Sequence, residues 1–326
     1  MRALLCTQWG PPESLVLRDV DDIEPKPGQV VIDGHACAVS FPDVLMIQGQ
    51  YQFKPHFPFS PGAEVAGVVR TLGEGVTEVK VGDRVLANTG FGSLAEQVRV
   101  PGHLCIPIPD GVDFVEASAF MSAYGTSYHA LHDRGHLQPG ETLLVLGAAG
   151  GVGLAAVELG VAHGATVIAA ASTDEKLALC REKGAAMTIN YDTEDVKERI
   201  KELTNGSGVD VVYDAVGGRY AEPALRAMAW RGRFLVVGFA AGEIPRIPLN
   251  LTLLKGCDIV GVFWGRAVNI DPARHQANVA ELMRLWRTGA IKPHVSAVYP
   301  LADGARAIRD IADRRSTGRI VVTLRD

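Results

Sequence analysis

Apolar positions along this chain fall into two regimes, and the longer one is a regular alternation. Thr142–Leu146 is a short apolar run, the pattern of a strand buried on both faces of a parallel sheet. Val152–His163 is apolar for longer than a strand runs and stops at Gly164, which predicts a helix. Thr166–Ala170 predicts a second strand, a helix starts at Ser172, and a third strand ends at Asn190. An amphipathic helix over Asp195–Leu203 follows, then the turn Asn205–Gly208 and a strand over Val209–Tyr213. A helix over Ala221–Trp230, a strand over Phe234–Val237 and a strand over Asp258–Val262 complete the series. Strands joined in this way by helices predict a doubly wound parallel sheet of six strands, with its ligand crevice outside the strand carboxyl ends.

The flanks read differently. Up to about residue 122 the pattern is one of short β-prone runs: Gln29–Asp33, Glu64–Arg70, Asp83–Ala87 and Leu94–Val100. Pro25–Gly28, Gly73–Gly75 and Val81–Asp83 supply turns, and Pro42 starts a short helix that runs to Gln48. Beyond Trp264 the chain predicts a helix over Arg274–Thr288, a strand over Val295–Pro300, a helix over Leu301–Arg314 and a strand over Arg319–Leu324. That last strand is expected to return to the first domain. The expected division is residues 1–122, residues 123–262 and a return over residues 263–326, with no internal repeats.

Chemistry enters at the glycine cluster between the first predicted strand of the alternation and its helix. Gly147 lets the chain turn tightly, and Gly153 lets helix and strand pack closely. Ala149, Gly150, Gly151 and Val152 are the candidate contacts to a pyrophosphate, met by the N–H groups at the helix start. The ordinary alternative is a tight strand–helix turn with no ligand. The flanking strand and helix are the context that makes the motif a dinucleotide site.

The second strand bears on which dinucleotide. An NAD unit usually places Asp or Glu at its end to hold the ribose hydroxyls, but here it ends Ala169-Ala170-Ala171. Asp174 reads as a first-turn residue of a helix capped by Ser172, with Glu175 as capping-box partner. Ser172, Thr173 and Lys176 then offer hydroxyls and a cation to a 2′-phosphate, so NADPH is expected in preference to NADH. Lys176 equally suits a solvated helix face. Later strand ends add Val216, Gly238 and Phe239, and then Phe263 and Trp264, which also suit a core.

Composition narrows the function classes. The 326 residues carry 32 basic and 37 acidic side chains for a net charge of −5, well mixed, which argues against a nucleic-acid surface. No apolar run reaches the ~18 residues of a membrane span, and MRALLCTQWG lacks a signal-peptide pattern, so the cytoplasm is the expected compartment. The five cysteines Cys6, Cys37, Cys105, Cys180 and Cys257 form no CxxC pair and are expected to be small buried hydrophobes.

Several ordered motifs carry a family resemblance: Pro61–Gly67, Val81–Val85, Gly92–Glu96, and Pro139–Glu141 leading into Ala148–Gly153. Over nearly its whole length the chain resembles the medium-chain dehydrogenase/reductases, and within them the zinc-free quinone oxidoreductases related to zeta-crystallin. The resemblance implies an α/β protein with a GroES-like β domain drawn from both chain ends and a Rossmann domain between them, assembled as a dimer or tetramer, of which the homodimer is expected. Zinc-dependent members carry a ligand cysteine three residues before an aspartate; here Ser40 precedes Asp43. Their ligand histidine after glycine is here Ala63, and their four-cysteine lobe is absent. A catalytic zinc takes three protein ligands, so no metal is expected.

By the same resemblance Tyr51 matches a tyrosine beside the substrate and Thr126 a threonine near the nicotinamide. Tyr191 matches a tyrosine at the adenosine phosphate end, and Lys176 matches the lysine of a Glu-Lys pair. The zinc-free branch usually has asparagine at the position of Ser40. Tyr51, Ser40 and Thr126 are the catalytic candidates. Tyr51 also suits a boundary aromatic and Thr126 a helix cap, and Asp43 is assigned to the short helix. Together these readings describe NADPH-dependent hydride transfer to a quinone or another electron-poor conjugated acceptor, with hydroxyl donors facing the charge that develops on its oxygen. The rivals are reduction of an enone or enoyl-CoA, with Arg266 and Arg246 toward the CoA phosphates, and a crystallin-like protein that holds NADPH without turnover.

Overall fold

In the computed structural model, which describes residues 1–325, the chain divides into two units. One is formed by Met1–Ser122 with the chain from Pro293 onward, the other by Ala123–Lys292.

The first unit opens with the antiparallel pair β1 (Arg2–Leu5) and β2 (Val16–Asp19). The long β3 (Gln29–Val39) runs into α1 (Phe41–Ile47), followed by β4 (Glu64–Leu72), β5 (Arg84–Asn88), β6 (Gln97–Pro101), β7 (Ile106–Pro107) and α2 (Phe114–Ser118). The chain passes to the second unit within α3 (Met121–Tyr128) and a π-helical segment, His129–Arg134. There it forms β8 (Thr142–Leu146), α4 (Gly151–Ala162), β9 (Thr166–Ala171), α5 (Asp174–Glu182), β10 (Met187–Asn190) and α6 (Val196–Leu203). It continues with β11 (Val209–Asp214), α7 (Ala221–Arg226), β12 (Met228–Val236), α8 (Asn250–Lys255), β13 (Asp258–Gly261), α9 (Trp264–Ile270) and α10 (Pro272–Arg287). β14 (Val295–Pro300), α11 (Gly304–Ala312) and β15 (Arg319–Thr323) then complete the first unit.

The sheet of the first unit has seven strands in the order β14-β15-β3-β4-β5-β7, with β6 also on β3. β15 lies antiparallel to β3, pairing Ile320 with Val39 and Thr323 with Ala36, so the first and last parts of the chain share one sheet. A core of Val30, Ile32, Val39, Val65, Val85, Leu94, Val322 and others fills its interior.

The second unit holds a six-stranded parallel sheet in the order β10-β9-β8-β11-β12-β13, the expected doubly wound architecture. Leu143 to Leu146 are fully buried because β8 is covered on both faces. The same reason accounts for α4, whose residues Gly153 to Gly160 are all buried, so it shows no polar face.

Differences from the sequence reading have local causes. The helix expected over Ala221–Trp230 ends at Arg226, because Met228 already pairs with Val209 and strand pairing overrides the helix propensity of Ala-Met-Ala. Arg231 at φ +64° then breaks any helix, and Trp230 stands 70% exposed. The helices α8 and α9 were not expected. The second unit runs on to Lys292, past the expected return at residue 263, because α10 buries Leu282, Met283 and Trp286 there.

Candidate functional site

Strand register brings most of the predicted residues of the second unit to one edge. Leu146 lies beside Ala170 and Asp214, Ala171 beside Asn190, and Val236 beside Asp214 and Gly261. The residues just past these carboxyl ends therefore form one row: Gly147, Ser172, Tyr191, Ala215, Val237 and Val262. Ala149 to Val152, Lys176, Val216, Gly238, Phe239, Phe263 and Trp264 follow within a few residues.

Backbone geometry explains the glycine turn. Gly147 has φ +71°, a left-handed conformation that L side chains avoid. A Cβ on Gly153 would lie 2.1 Å from the Gly147 carbonyl oxygen, so α4 sits on the turn only because that atom is missing. Gly150 is the N-cap of α4, exposed, and a Cβ there would meet nothing nearer than the Gly147 oxygen at 3.4 Å. Ala149 is buried, whereas Gly151 and Val152 are half-buried. A twelve-residue helix thus presents its first N–H groups over small residues, a cradle that fits a pyrophosphate.

Thr126 lies inside α3 and does not cap it. Its neighbour Ser127 is buried, donates to the Val152 carbonyl at 2.8 Å, and sits 2.9 Å from the Tyr213 hydroxyl. That tie, which the sequence reading missed, holds α3 against the first turn of α4 and places the half-buried Thr126 beside the cradle.

At the end of β9 the cap is Thr173, not Ser172. Thr173 is extended and its hydroxyl accepts the Lys176 N–H at 3.3 Å. Ser172 is thereby released for another contact, and its hydroxyl accepts the Lys176 ammonium at 3.3 Å. Tyr191 joins them, since its N–H donates to the Ala171 carbonyl at 3.1 Å and its ring packs on Tyr220 with centroids 4.3 Å apart. Asp174 accepts from the Asn190 amide at 3.0 Å. A hydroxyl, a cation and a phenol thus share the edge where a ribose-binding carboxylate would stand.

The end of β11 depends on Asp214, another residue the sequence reading left without a role. It is 3% exposed, and one of its oxygens accepts the N–H groups of Val216 and Gly217 at 2.9 and 2.8 Å. Burial pushes its carboxyl up, and those two bonds oppose the shift. Its carbonyl also accepts from Val237 and Gly238, so one residue sets both turns. Phe263 is half exposed rather than core, and Trp264 meets His275 edge-on at 5.9 Å. Both line a cavity of about 640 Å³ that also takes in His129, Arg134, Arg266 and Arg274.

In the first unit, Ser40 is the N-cap of α1, and Asp43 in the first turn is fully buried. One Asp43 oxygen accepts both the Ser40 N–H at 2.8 Å and the Ser40 hydroxyl at 3.0 Å, and the other accepts the Gly62 N–H at 2.8 Å. Asp43 therefore joins the segment of Ser40 to the segment of Ala63, a role beyond the short helix. Burial raises its carboxyl; the Gly62 and Ser40 donors and Arg319 hold it down. Tyr51 is half-buried, and its hydroxyl has no hydrogen-bond partner among the described residues. Burial, then the charge of Asp43, raise the Tyr51 phenol. Beneath them Glu64 and Arg319 form a buried pair at 3.1 Å, and burial pushes Glu64 up to about 7 against the pull of Arg319.

These residues do not fit a catalytic zinc. Ser40 and Ala63 offer a hydroxyl and a methyl, and among the described residues no three His, Cys, Asp or Glu side chains are gathered to hold a metal ion. All five cysteines are buried and free.

Comparison with known proteins agrees with this architecture. Residues 26–110 match the family model described as alcohol dehydrogenase GroES-like domain, and residues 151–285 match the one described as zinc-binding dehydrogenase. The quinone oxidoreductase-like protein 2 homolog of Nematostella vectensis is 41% identical over 98% of this chain and 88% of its own length. The quinone oxidoreductase of Pseudomonas aeruginosa is 36% identical over 96% of this chain and 97% of its own. Among solved structures, Escherichia coli quinone oxidoreductase complexed with NADPH superposes with a TM-score of 0.93 at 28% identity, covering 99% of this chain and 100% of that one. With both of its units and almost its entire length accounted for in this way, the chain belongs to the quinone oxidoreductase branch of the medium-chain dehydrogenase/reductases.

Proposed function

We propose that the protein is an NADPH-dependent reductase that works without zinc and passes a hydride to a quinone or a similar electron-poor conjugated acceptor. The observation that carries the cofactor choice is the end of β9, where Ala169, Ala170 and Ala171 replace a carboxylate and Ser172, Lys176 and Tyr191 cluster. A carboxylate at that edge would repel a 2′-phosphate, whereas a hydroxyl and an ammonium attract one. The quinone oxidoreductases of Escherichia coli and Thermus thermophilus, both solved in complex with NADPH, support the reading. Bound NADPH supplies the hydride. The first turn of α4 would hold the pyrophosphate, Thr126 would contact the nicotinamide, and Tyr51 would donate to the oxygen of the reduced acceptor. Fixed donors in a water-poor site are worth more than in water.

Purified protein is expected to oxidise NADPH with a quinone measurably faster than NADH. Equal rates with both cofactors refute the phosphate assignment. A second reading, reduction of an enoyl thioester, is favoured by Arg266 and Arg274 on the cavity beside Phe263. A panel of quinones against enoyl-CoA esters separates the two.

The homodimer that the resemblance implies would use the β13 side of the second unit. β13 has a neighbour on one side only, and Trp230, Leu249, Leu253, Leu254 and Ile259 are all exposed, with Leu253 at 77%. So many large apolar side chains on one stretch of chain mark an interaction face. Leu253→Glu is expected to lower the sedimentation mass to that of a monomer; an unchanged mass rejects this face. Five buried free thiols suit the reducing cytoplasm that the sequence suggested.

A further inference from the structure

The Ser40 hydroxyl is the feature that the proposed reaction leaves unsettled. The sequence reading makes it a donor toward the acceptor oxygen, and the structure gives its proton elsewhere. Asp43 is fully buried, and all three of its hydrogen bonds are received. Two of the donors are the backbone N–H groups of Ser40 and Gly62, which cannot reverse. An ionised carboxylate only accepts, so a hydroxyl at 3.0 Å from it points its hydrogen inward. Turning that hydrogen outward forfeits a charge-assisted bond, which makes the outward rotamer rarer by about ten- to a hundredfold.

We propose that Asp43 fixes the polarity of Ser40, so that Ser40 meets an acceptor with its lone pairs while Tyr51 alone supplies the hydroxyl donor. This rests on the reductase reading and narrows its substrate class. The site then selects a conjugated carbonyl compound that carries a hydrogen-bond donor of its own, such as a hydroxymethyl or amino substituent on a quinone or enone. Asp43 is a positioning residue in this scheme. The other titratable or charged groups that face it are Cys37 on β3, Tyr51 after α1 and Arg319 on β15, with Glu64 on β4 paired to Arg319. None of them offers Asp43 a further hydrogen bond. The Gly62 bond gives Asp43 a second task, since it holds the segment of Ala63 in place whatever Ser40 does.

The kinetic test compares a hydroxymethyl-substituted quinone with its methyl analogue. Wild type is expected to favour the hydroxymethyl compound about tenfold in kcat/KM, the factor of one hydrogen bond to a neutral partner. Ser40→Ala is expected to lose that preference, with a larger fall in kcat/KM on the hydroxymethyl compound than on the methyl compound. Asp43→Asn, which removes the charge and sets its NH2 against the N–H of either Ser40 or Gly62, is expected to loosen the hold on the Ser40 hydrogen and reduce the preference for the hydroxymethyl compound. If Ser40→Ala loses as much rate on the methyl quinone as Tyr51→Phe does, Ser40 is a donor to the reacting oxygen and the proposal is overturned. A readout without turnover is neutron diffraction from the deuterated protein with NADPH. A deuteron on Ser40 Oγ directed at Asp43 supports the assignment, and one directed away, or one carried by Asp43, overturns it. If no quinone or enone is reduced at all, the reductase reading fails and the neutron density still decides the direction of Ser40.

Discussion

Replacing Gly153 or Gly150 with alanine separates what the glycine turn does for the fold from what it does for a ligand. At Gly153 the added Cβ lies 2.1 Å from the Gly147 carbonyl oxygen and 2.9 Å from the Ala148 Cα, more than 1 Å short of ordinary contact with the oxygen. Both neighbours are backbone, so no rotamer relieves the overlap, and the start of α4 must lift away from β8. Overpacking of this kind costs up to about 3 kcal/mol, and alanine regains about 1 kcal/mol over glycine inside a helix. The net loss of about 2 kcal/mol lowers the melting temperature of a unit of this size by roughly 4–8 °C. At Gly150 the outcome differs. Its φ of −78° and ψ of 172° suit alanine, and the new Cβ meets only the Gly147 oxygen at 3.4 Å. That methyl instead projects into the open side of the turn, where a pyrophosphate must approach. Gly150→Ala is expected to melt within about 1 °C of wild type and to bind NADPH at least tenfold more weakly, about 1.4 kcal/mol, by fluorescence titration. A Gly153→Ala protein as stable as wild type refutes the close approach of α4. A Gly150→Ala protein with unchanged NADPH affinity refutes this turn as the pyrophosphate seat.

Lys176→Ala is expected to weaken NADPH by about tenfold, the loss of one hydrogen bond to a charged group at a half-buried position, and to leave NADH affinity unchanged in the same titration. Tyr51→Phe is expected to lower kcat on a quinone by about 10²–10³, the usual loss for one oxyanion donor, with NADPH affinity intact; a small effect on kcat removes Tyr51 from the chemistry. Glu64 gives a pH signature. Its carboxyl is held at about 7 in the folded protein against an ordinary 4.5. The folded state therefore binds that proton more tightly, and this share of stability is present below 4.5 and is lost as pH rises to 7. Calorimetry is expected to show wild type losing stability relative to Glu64→Gln across that window, and a constant difference means that Arg319 keeps Glu64 ionised throughout.

The parallel sheet was legible because its inner strands are buried on both faces and bounded by turn residues, so β8 begins and ends where its apolar run does. What local pattern could not give was set by partners far along the chain. The stretch after Arg226 is strand because of Val209. Thr173 caps α5 and the Ser172 hydroxyl turns to the Lys176 ammonium, a pairing that no local capping rule contains. The candidate site followed the same division. The glycines and the missing carboxylate of β9 were plain in sequence because their effect is local. Asp43, Ser127 and Asp214 act through bonds to Gly62, Val152 and Gly217, and for Asp43 and Ser127 those partners lie on other elements.

The shared sheet of the first unit has a consequence for synthesis. β3 cannot receive β15 until the whole second unit between them has left the ribosome, whereas β8 to β13 emerge in one uninterrupted block. The middle of the chain is thus free to fold while β3, already flanked by β4 and β6, waits with its Ala36–Val39 edge open, the kind of edge on which nascent chains aggregate. A stop codon placed just before Val295 leaves β3 permanently without that neighbour, so loss of solubility on such truncation is expected to originate in the oldest part of the nascent polypeptide and not at its shortened end.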